Sequence, residues 1–177
     1  IGLLAAGMLG RGARMMTFQD RSDELDALQS TIFSSYQGGV LSLAVSTDRK
    51  NFARCMEIAA DMLRNPVFPD SEFQAVQADQ AAFAASQLDQ PLTLVNNALQ
   101  RATSPFGAQS MFYVPTPAER LERIKAATVQ DVRAFYQRVI GPSNVQIAIV
   151  GDIEATDAEA QARRLVDGWS GGMNFRR

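Results

Sequence analysis

The spacing of apolar residues along the chain separates helices from strands. Phe52, Cys55, Met56, Ala59, Met62 and Leu63 recur at three- and four-residue steps, which predicts a helix with one buried stripe, capped by Thr47 or Asp48. Val132, Phe135, Tyr136 and Val139 repeat that spacing behind the capping signal Thr128-Val129-Gln130-Asp131. A stronger start, Thr116-Pro117-Ala118-Glu119, combines a hydroxyl cap, proline at the first helical position and glutamate three residues after the cap. Residues 2–9 are apolar or glycine throughout and predict a helix stopped by Gly10 and Gly12. A second helix is expected from Thr17 or Asp20, with Asp20, Asp23 and Glu24 near the positive end of its dipole and Leu25 and Leu28 facing inward. Pro66 and Pro69 break the chain before a long helix that starts at Asp70 or Ser71 and carries Phe73, Val76, Phe83 and Leu88. Asp89-Gln90-Pro91 ends it, and further helices are expected over residues 92–102 and 157–166.

Three stretches have strand character instead. Residues 31–36 and 40–46 flank Gln37-Gly38-Gly39 and predict a hairpin, and residues 145–150, Val-Gln-Ile-Ala-Ile-Val, form the clearest strand in the sequence. Helices dominate, so the predicted class is α+β, an antiparallel sheet with helices packed on it. Residues 1–169 are expected to form a single domain and residues 170–177 to begin a linker, since Gly168, Gly171 and Gly172 cluster there. The apolar start at Ile1, with no initiator methionine and no cap, suggests a cut inside a longer protein with upstream structure removed.

Composition narrows the chemistry sharply. The 177 residues are 46% hydrophobic and 20% charged with a formal charge of −2, which favours neither nucleic acid nor disorder. No apolar run approaches the ~20 residues of a spanning helix. Histidine is absent, which excludes His-based zinc sites, Ser-His-Asp triads and Cys-His pairs built within this chain. Cys55 is the only cysteine and lies in a buried stripe, so it reads as a small core hydrophobe.

The remaining candidates have plain structural explanations. Gly7-Met8-Leu9-Gly10-Arg11-Gly12, with Arg14, resembles a phosphate loop, but its glycines follow a helix rather than precede one. Asp20, Asp23, Glu24 and Asp26, and Glu119 and Glu122, offer paired carboxylates, yet they sit on helix starts and exposed faces where dipole and solvation account for them. The methionines, Met111 among them, read as core filling, and Tyr113, in a loop, is free to meet a partner.

Several short motifs occur in a telling order. They are Met8-Leu9-Gly10-Arg11-Gly12; Asp61-Met62-Leu63-Arg64-Asn65-Pro66-Val67-Phe68; Glu72-Phe73 opening a helix that closes at Asp89-Gln90-Pro91; Asp131-Val132-Arg133-Ala134-Phe135-Tyr136; and the stretch from Asn144 to Gly151-Asp152. Together they resemble the pitrilysin/insulinase family of zinc metallopeptidases, which includes the mitochondrial processing peptidases. Active members of that family carry H-x-x-E-H directly before the Met-Leu pair, with two zinc-binding histidines and a general-base glutamate, and a later glutamate completes the metal site. Mapped through Met8, the histidine positions fall on Leu3 and Gly7, the base on Ala6 and the last ligand near Phe83. None of these side chains can bind metal or take a proton. The resemblance therefore implies a metal-free half with no catalytic or metal residue and no cofactor of its own. Zinc is expected in a partner half, in the same polypeptide or another subunit, and this chain would meet peptide substrate only indirectly, as scaffold and chamber wall. It further implies that Leu3 and Ala6 pack directly against Phe83 and its neighbours. A purely structural or assembly subunit of the same fold is the second reading. An unrelated α+β domain with an apolar, polar-tipped ligand pocket is the third. Bacterial relatives are often exported to the periplasm or cell envelope; residues 1–177 leave the compartment open.

Overall fold

The computed structural model describes residues 1–110 and 113–173, so Met111 and residues 174–177 of the expected linker lie outside the described residues. In chain order the elements are α1 (Gly2–Leu9), α2 (Phe18–Ala27), β1 (Thr31–Gln37), β2 (Val40–Ser46), α3 (Phe52–Arg64), α4 (Asp70–Ser86), α5 (Pro91–Thr103), α6 (Pro117–Ala126), α7 (Val129–Val139) and α8 (Ala155–Val166). Single 3₁₀ turns occupy Arg49–Asn51 and Pro142–Asn144.

Three of the helices start with reciprocal capping boxes. Thr17 and Asp20, Thr116 and Glu119, and Thr128 and Asp131 each exchange side-chain and backbone hydrogen bonds, satisfying amides that the first helical turn leaves unpaired. Hydrogen bonds from Thr17 hold the Asp20 carboxyl below its ordinary range, and those from Thr128 do the same for Asp131. The Thr116 amide, with the Tyr113 hydroxyl, lowers that of Glu119. A carboxyl whose folded pKa is depressed stabilises the fold fully above its unfolded pKa and loses that contribution as pH falls through the folded one. Thermal stability is therefore expected to be level around neutrality and to fall from about pH 5 downward. Melting curves across pH 3–7 check this; a midpoint that rises below pH 4 would contradict it.

The start of α3 differs from expectation. Asp48 makes no side-chain cap, and Thr47 Oγ1 is turned toward Ser30 Oγ at 2.7 Å and accepts a contact from Cys55 Sγ at 3.3 Å. The chain enters the helix through the 3₁₀ turn instead, so the hydroxyl serves the hairpin–helix junction rather than the helix end.

The hairpin forms as predicted. Thr31 pairs with Ser46 and Gln37 with Val40 across an antiparallel ladder. Gly38 and Gly39, at φ 59° and 85°, supply two consecutive left-handed residues, which match the twist of a two-residue connection. Alternate residues Ile32, Ser34, Tyr36, Leu41, Leu43 and Val45 are half-buried, whereas the opposite face, with Phe33 and Val40, is exposed.

Residues 145–150 do not form a strand, which corrects the expectation placed on them. The described residues hold one sheet of two strands, β1 and β2. A strand needs a neighbour to take its amides and carbonyls, and no described segment lies alongside this one. Ile147, Ala148 and Val150 are accordingly left in solvent, Val150 being 99% exposed. The class remains α+β, with helices packed on an antiparallel hairpin.

The main core is built around α1. Leu4, Ala5, Met8 and Leu9 pack with Phe73, Val76 and Ala84 of α4, Leu121 and Ile124 of α6, and Val132 and Tyr136 of α7. An apolar helix with little amphipathic bias is one buried on several sides, and α1 touches β1, α4 and α7. Tyr136 donates its hydroxyl to the Leu63 carbonyl at 2.6 Å, and the Phe68 ring meets its edge at 5.3 Å. Burial pushes the Tyr136 phenol well above its usual range, so it remains a donor. Smaller clusters form where α3 meets the hairpin, α2 and α8: Leu25 with Cys55, Ile58 and Met62, and Met56, Ala59 and Ala60 with Leu165. At the end of the described chain, Gly171 and Gly172 lie against Gly141, where a side chain would meet backbone: a Cβ there would fall 2.0 Å from the Gly171 carbonyl oxygen. Gly171 and Gly172 thus lie against the end of α7.

Candidate functional site

Four positions compose the candidate site: Leu3, Ala6 and Gly7 on α1, and Phe83 on α4. The two helices run antiparallel, since Arg11 Nη1 reaches Glu72 Oε2 at 3.3 Å while Gly7 lies against Val76. The same register carried along the helices sets Leu3 level with Gln80, one turn from Phe83. The fold therefore brings all four positions to one helix pair.

What occupies that pair is hydrocarbon and backbone. A Cβ on Gly7 would stand 2.8 Å from Val76 Cγ1, so the helices approach closer there than any side chain permits. Ala6 is buried, and its carbonyl accepts the Ser34 hydroxyl at 2.7 Å, which pins β1 to the helix. The Tyr36 ring lies over Gly2 in place of a Cβ, and burial raises its phenol pKa. Phe83 does not pack as expected. It is 64% exposed, and Ala84 supplies the contact to the core instead. One residue's rotation on a helix is about 100°, enough to turn a neighbour of a core residue outward.

No donor atom stands at any of the four positions, so these residues do not fit a zinc ion. Among the described residues, no group of three His, Cys, Asp or Glu side chains is placed to hold a metal. The paired carboxylates are equally committed. Asp20 caps α2, Asp23 accepts from Gln19 Nε2, Glu24 is paired with Arg54, and Glu119 caps α6 while accepting from the Tyr113 hydroxyl. A general acid needs a raised pKa. The Arg54 hydrogen bond lowers that of Glu24, and the caps lower those of Asp20 and Glu119. The glycine stretch from Gly7 to Gly12 lies at the C-terminal end of α1, where carbonyls rather than amides are free, so its backbone cannot cradle a phosphate as a phosphate loop does.

A shallow hollow of about 450 Å³ opens between the ends of α3 and α7, lined by Phe68, Arg133, Tyr136, Ile140 and Trp169 among others. Its polar groups are already engaged. Arg133 is bound to Asp70 and the Phe68 carbonyl, and Tyr136 to the Leu63 carbonyl. It does not touch the four positions on α1 and α4.

Residues 126–174 match a family model described as peptidase M16 inactive domain. Solved structures agree over the whole chain. The peptidase M16 inactive domain of Pseudomonas fluorescens superposes with a TM-score of 0.78 at 19% identity, covering 99% of this chain and 42% of that one. The fold is that of the peptidase M16 inactive domain. A protease from Helicobacter pylori superposes on this M16 fold with a TM-score of 0.82 at 12% identity, again over 99% of this chain and 42% of the other. The chain thus spans less than half the length of these structures. No curated protein matches the sequence.

The M16 fold leaves two features that the sequence reading passed over. Asp61 is buried within α3, where its carboxylate accepts the Met15 amide at 3.0 Å and Asn65 Nδ2 at 2.9 Å, tying the α1–α2 and α3–α4 connections together. Arg21 is buried on α2. Phe18, Arg21, Leu25 and Leu28 follow three- and four-residue steps, so the stripe itself marked the arginine as facing inward.

Proposed function

We propose that this chain is a non-catalytic domain of a pitrilysin-like zinc metallopeptidase, forming part of the wall that receives peptide while zinc sits in another half. The observation that carries this reading is the antiparallel pairing of α1 and α4. It brings to one helix pair Leu3, Ala6, Gly7 and Phe83, which the resemblance maps onto the ligands and base of active relatives, and none of their side chains offers a donor. The M16 inactive-domain fold supports the same reading. The partner is a half bearing H-x-x-E-H, and the parent reaction is hydrolysis of peptide bonds on that half.

An exposed apolar helix face also supports a role in assembly. On α5, Leu92, Val95 and Leu99 follow one another at helical spacing and all face solvent, and Phe83 on α4 is exposed as well. If the domain serves assembly alone, removing it leaves peptide turnover per zinc unchanged in the partner half; if it helps receive peptide, the partner's KM rises.

Dialysis against a slight excess of zinc followed by elemental analysis tests the metal-free assignment. Less than about one-tenth equivalent of zinc per chain is expected, because a tetrahedral site needs about three protein donors and these positions supply none. One equivalent retained, or peptide cleavage by the isolated chain that chelator abolishes, would refute the assignment.

A further inference from the structure

Arg21 is 9% exposed and projects from α2 toward the last turn of α1, its guanidinium 3.3 Å from the place a Cβ on Gly10 would take. Its Nε is shut off from solvent and, among the described residues, has no hydrogen-bond partner. Its neighbours do not neutralise it. Arg11 shares the Phe18 ring with it, the two guanidinium carbons lying 4.9 and 5.4 Å from the ring centroid. The Glu72 carboxylate is bridged to Arg11, and Asp20 and Glu24, on Arg21's own helix, are engaged by Thr17 and Arg54. The partial negative charge at the end of α1 attracts the guanidinium but gives it no hydrogen bond.

This arrangement is costly as it stands. A buried charge without a partner costs several kcal/mol, and buried polar groups in folded proteins are nearly always satisfied. Burial and the Arg11 charge both work against the charged form of Arg21, yet a guanidinium does not shed its proton at neutral pH. An acceptor with negative charge and two oxygens has the geometry that a guanidinium fork binds.

We infer that Arg21 and Arg11, seated on Phe18 at the end of α1, form a binding site for an oxyanion, either a polypeptide carboxylate or a phosphate-type ion. The site goes beyond the metal-free reading and is independent of it: it lies at the opposite end of α1 from Leu3, about 10 Å along the helix axis. Phe18 supplies a flat apolar floor, Arg21 the fixed fork, and Arg11 a second cation whose hold on Glu72 can relax when an anion arrives.

Calorimetric titration of the 177-residue chain with inorganic phosphate and, separately, sodium acetate at constant ionic strength tests the proposal. Saturable one-to-one binding is expected for at least one anion, weakened at least tenfold in Arg21→Met. Tighter binding of acetate assigns a polypeptide carboxylate, and tighter binding of phosphate a free phosphate-type ion; either outcome supports the site. Arg21→Met should fold and melt no lower than the parent without anion, because a long apolar side chain replaces an unpaired buried charge. Arg11→Met, a second variant that leaves Arg21 in place, should also bind more weakly. No saturable binding of either anion, or affinity unchanged in Arg21→Met, overturns the proposal.

Discussion

Gly7→His is expected to destabilise the chain by about 3 kcal/mol, the upper range for inserting bulk into a packed core. The cause is local and identifiable. Val76 Cγ1 stands 2.8 Å from where the new Cβ must go, and Val76 is itself buried on α4. A β-branched side chain is stiff at χ1, so Val76 cannot swing aside cheaply. The imidazole adds a buried polar group with no partner, since Leu3, Ala6 and Phe83 offer none. Removing the obstruction should recover part of the loss: in the Gly7→His, Val76→Ala double variant, urea unfolding should reveal a coupling of about 1 kcal/mol or more between the two sites. Strict additivity of the two single changes would show that Gly7 does not govern the helix approach.

Leu9→Ala gives the second large effect. Leu9 is fully buried among α4, α6 and α7 side chains, and truncating such a leucine costs about 3 kcal/mol once the residual cavity is included. For a chain of this size that lowers the melting temperature by roughly 6–12 °C. The matched control is Leu92→Ala on α5, a leucine exposed over most of its surface, which should stay within about 0.5 kcal/mol of the parent. Differential scanning calorimetry on both variants decides the point. Equal losses would mean that α5 is packed in solution and its apolar face already covered.

These contrasts also show where the sequence was informative. The helices were readable because capping boxes and three-four spacing are local signals: Thr116 with Glu119 and the stripe from Phe52 to Leu63 needed no tertiary knowledge. The hairpin was readable for the same reason, its register being set by Gly38 and Gly39. Residues 145–150 had the composition of a strand, but a strand is a relation between segments, and composition says nothing about whether a neighbour is present. At the candidate site the four positions came from the resemblance alone, and the exposure of Phe83 was not readable. Periodicity placed it with Phe73 and Val76 on a helix rich in alanine, where the apolar stripe is too faint to fix which neighbour turns inward. Arg21 shows the opposite case. Its position on the α2 stripe was visible in the chain, but only the folded structure shows that its Nε is buried without a hydrogen-bond partner among the described residues.

The central position of α1 has a consequence for the order in which the fold can assemble. Its partners β1, α4 and α7 all come later in the chain, the last of them ending at Val139. During synthesis at the usual rates, α1 waits on the order of ten seconds between its own emergence and that of α7. For that interval Leu4, Met8 and Leu9 form an apolar segment whose α7 partners are still to be made, and eight residues are too few to hold a helix alone. A deeply buried element therefore waits for the last of its partners, open to premature association. Vectorial synthesis makes it the stretch most in need of shelter by a chaperone.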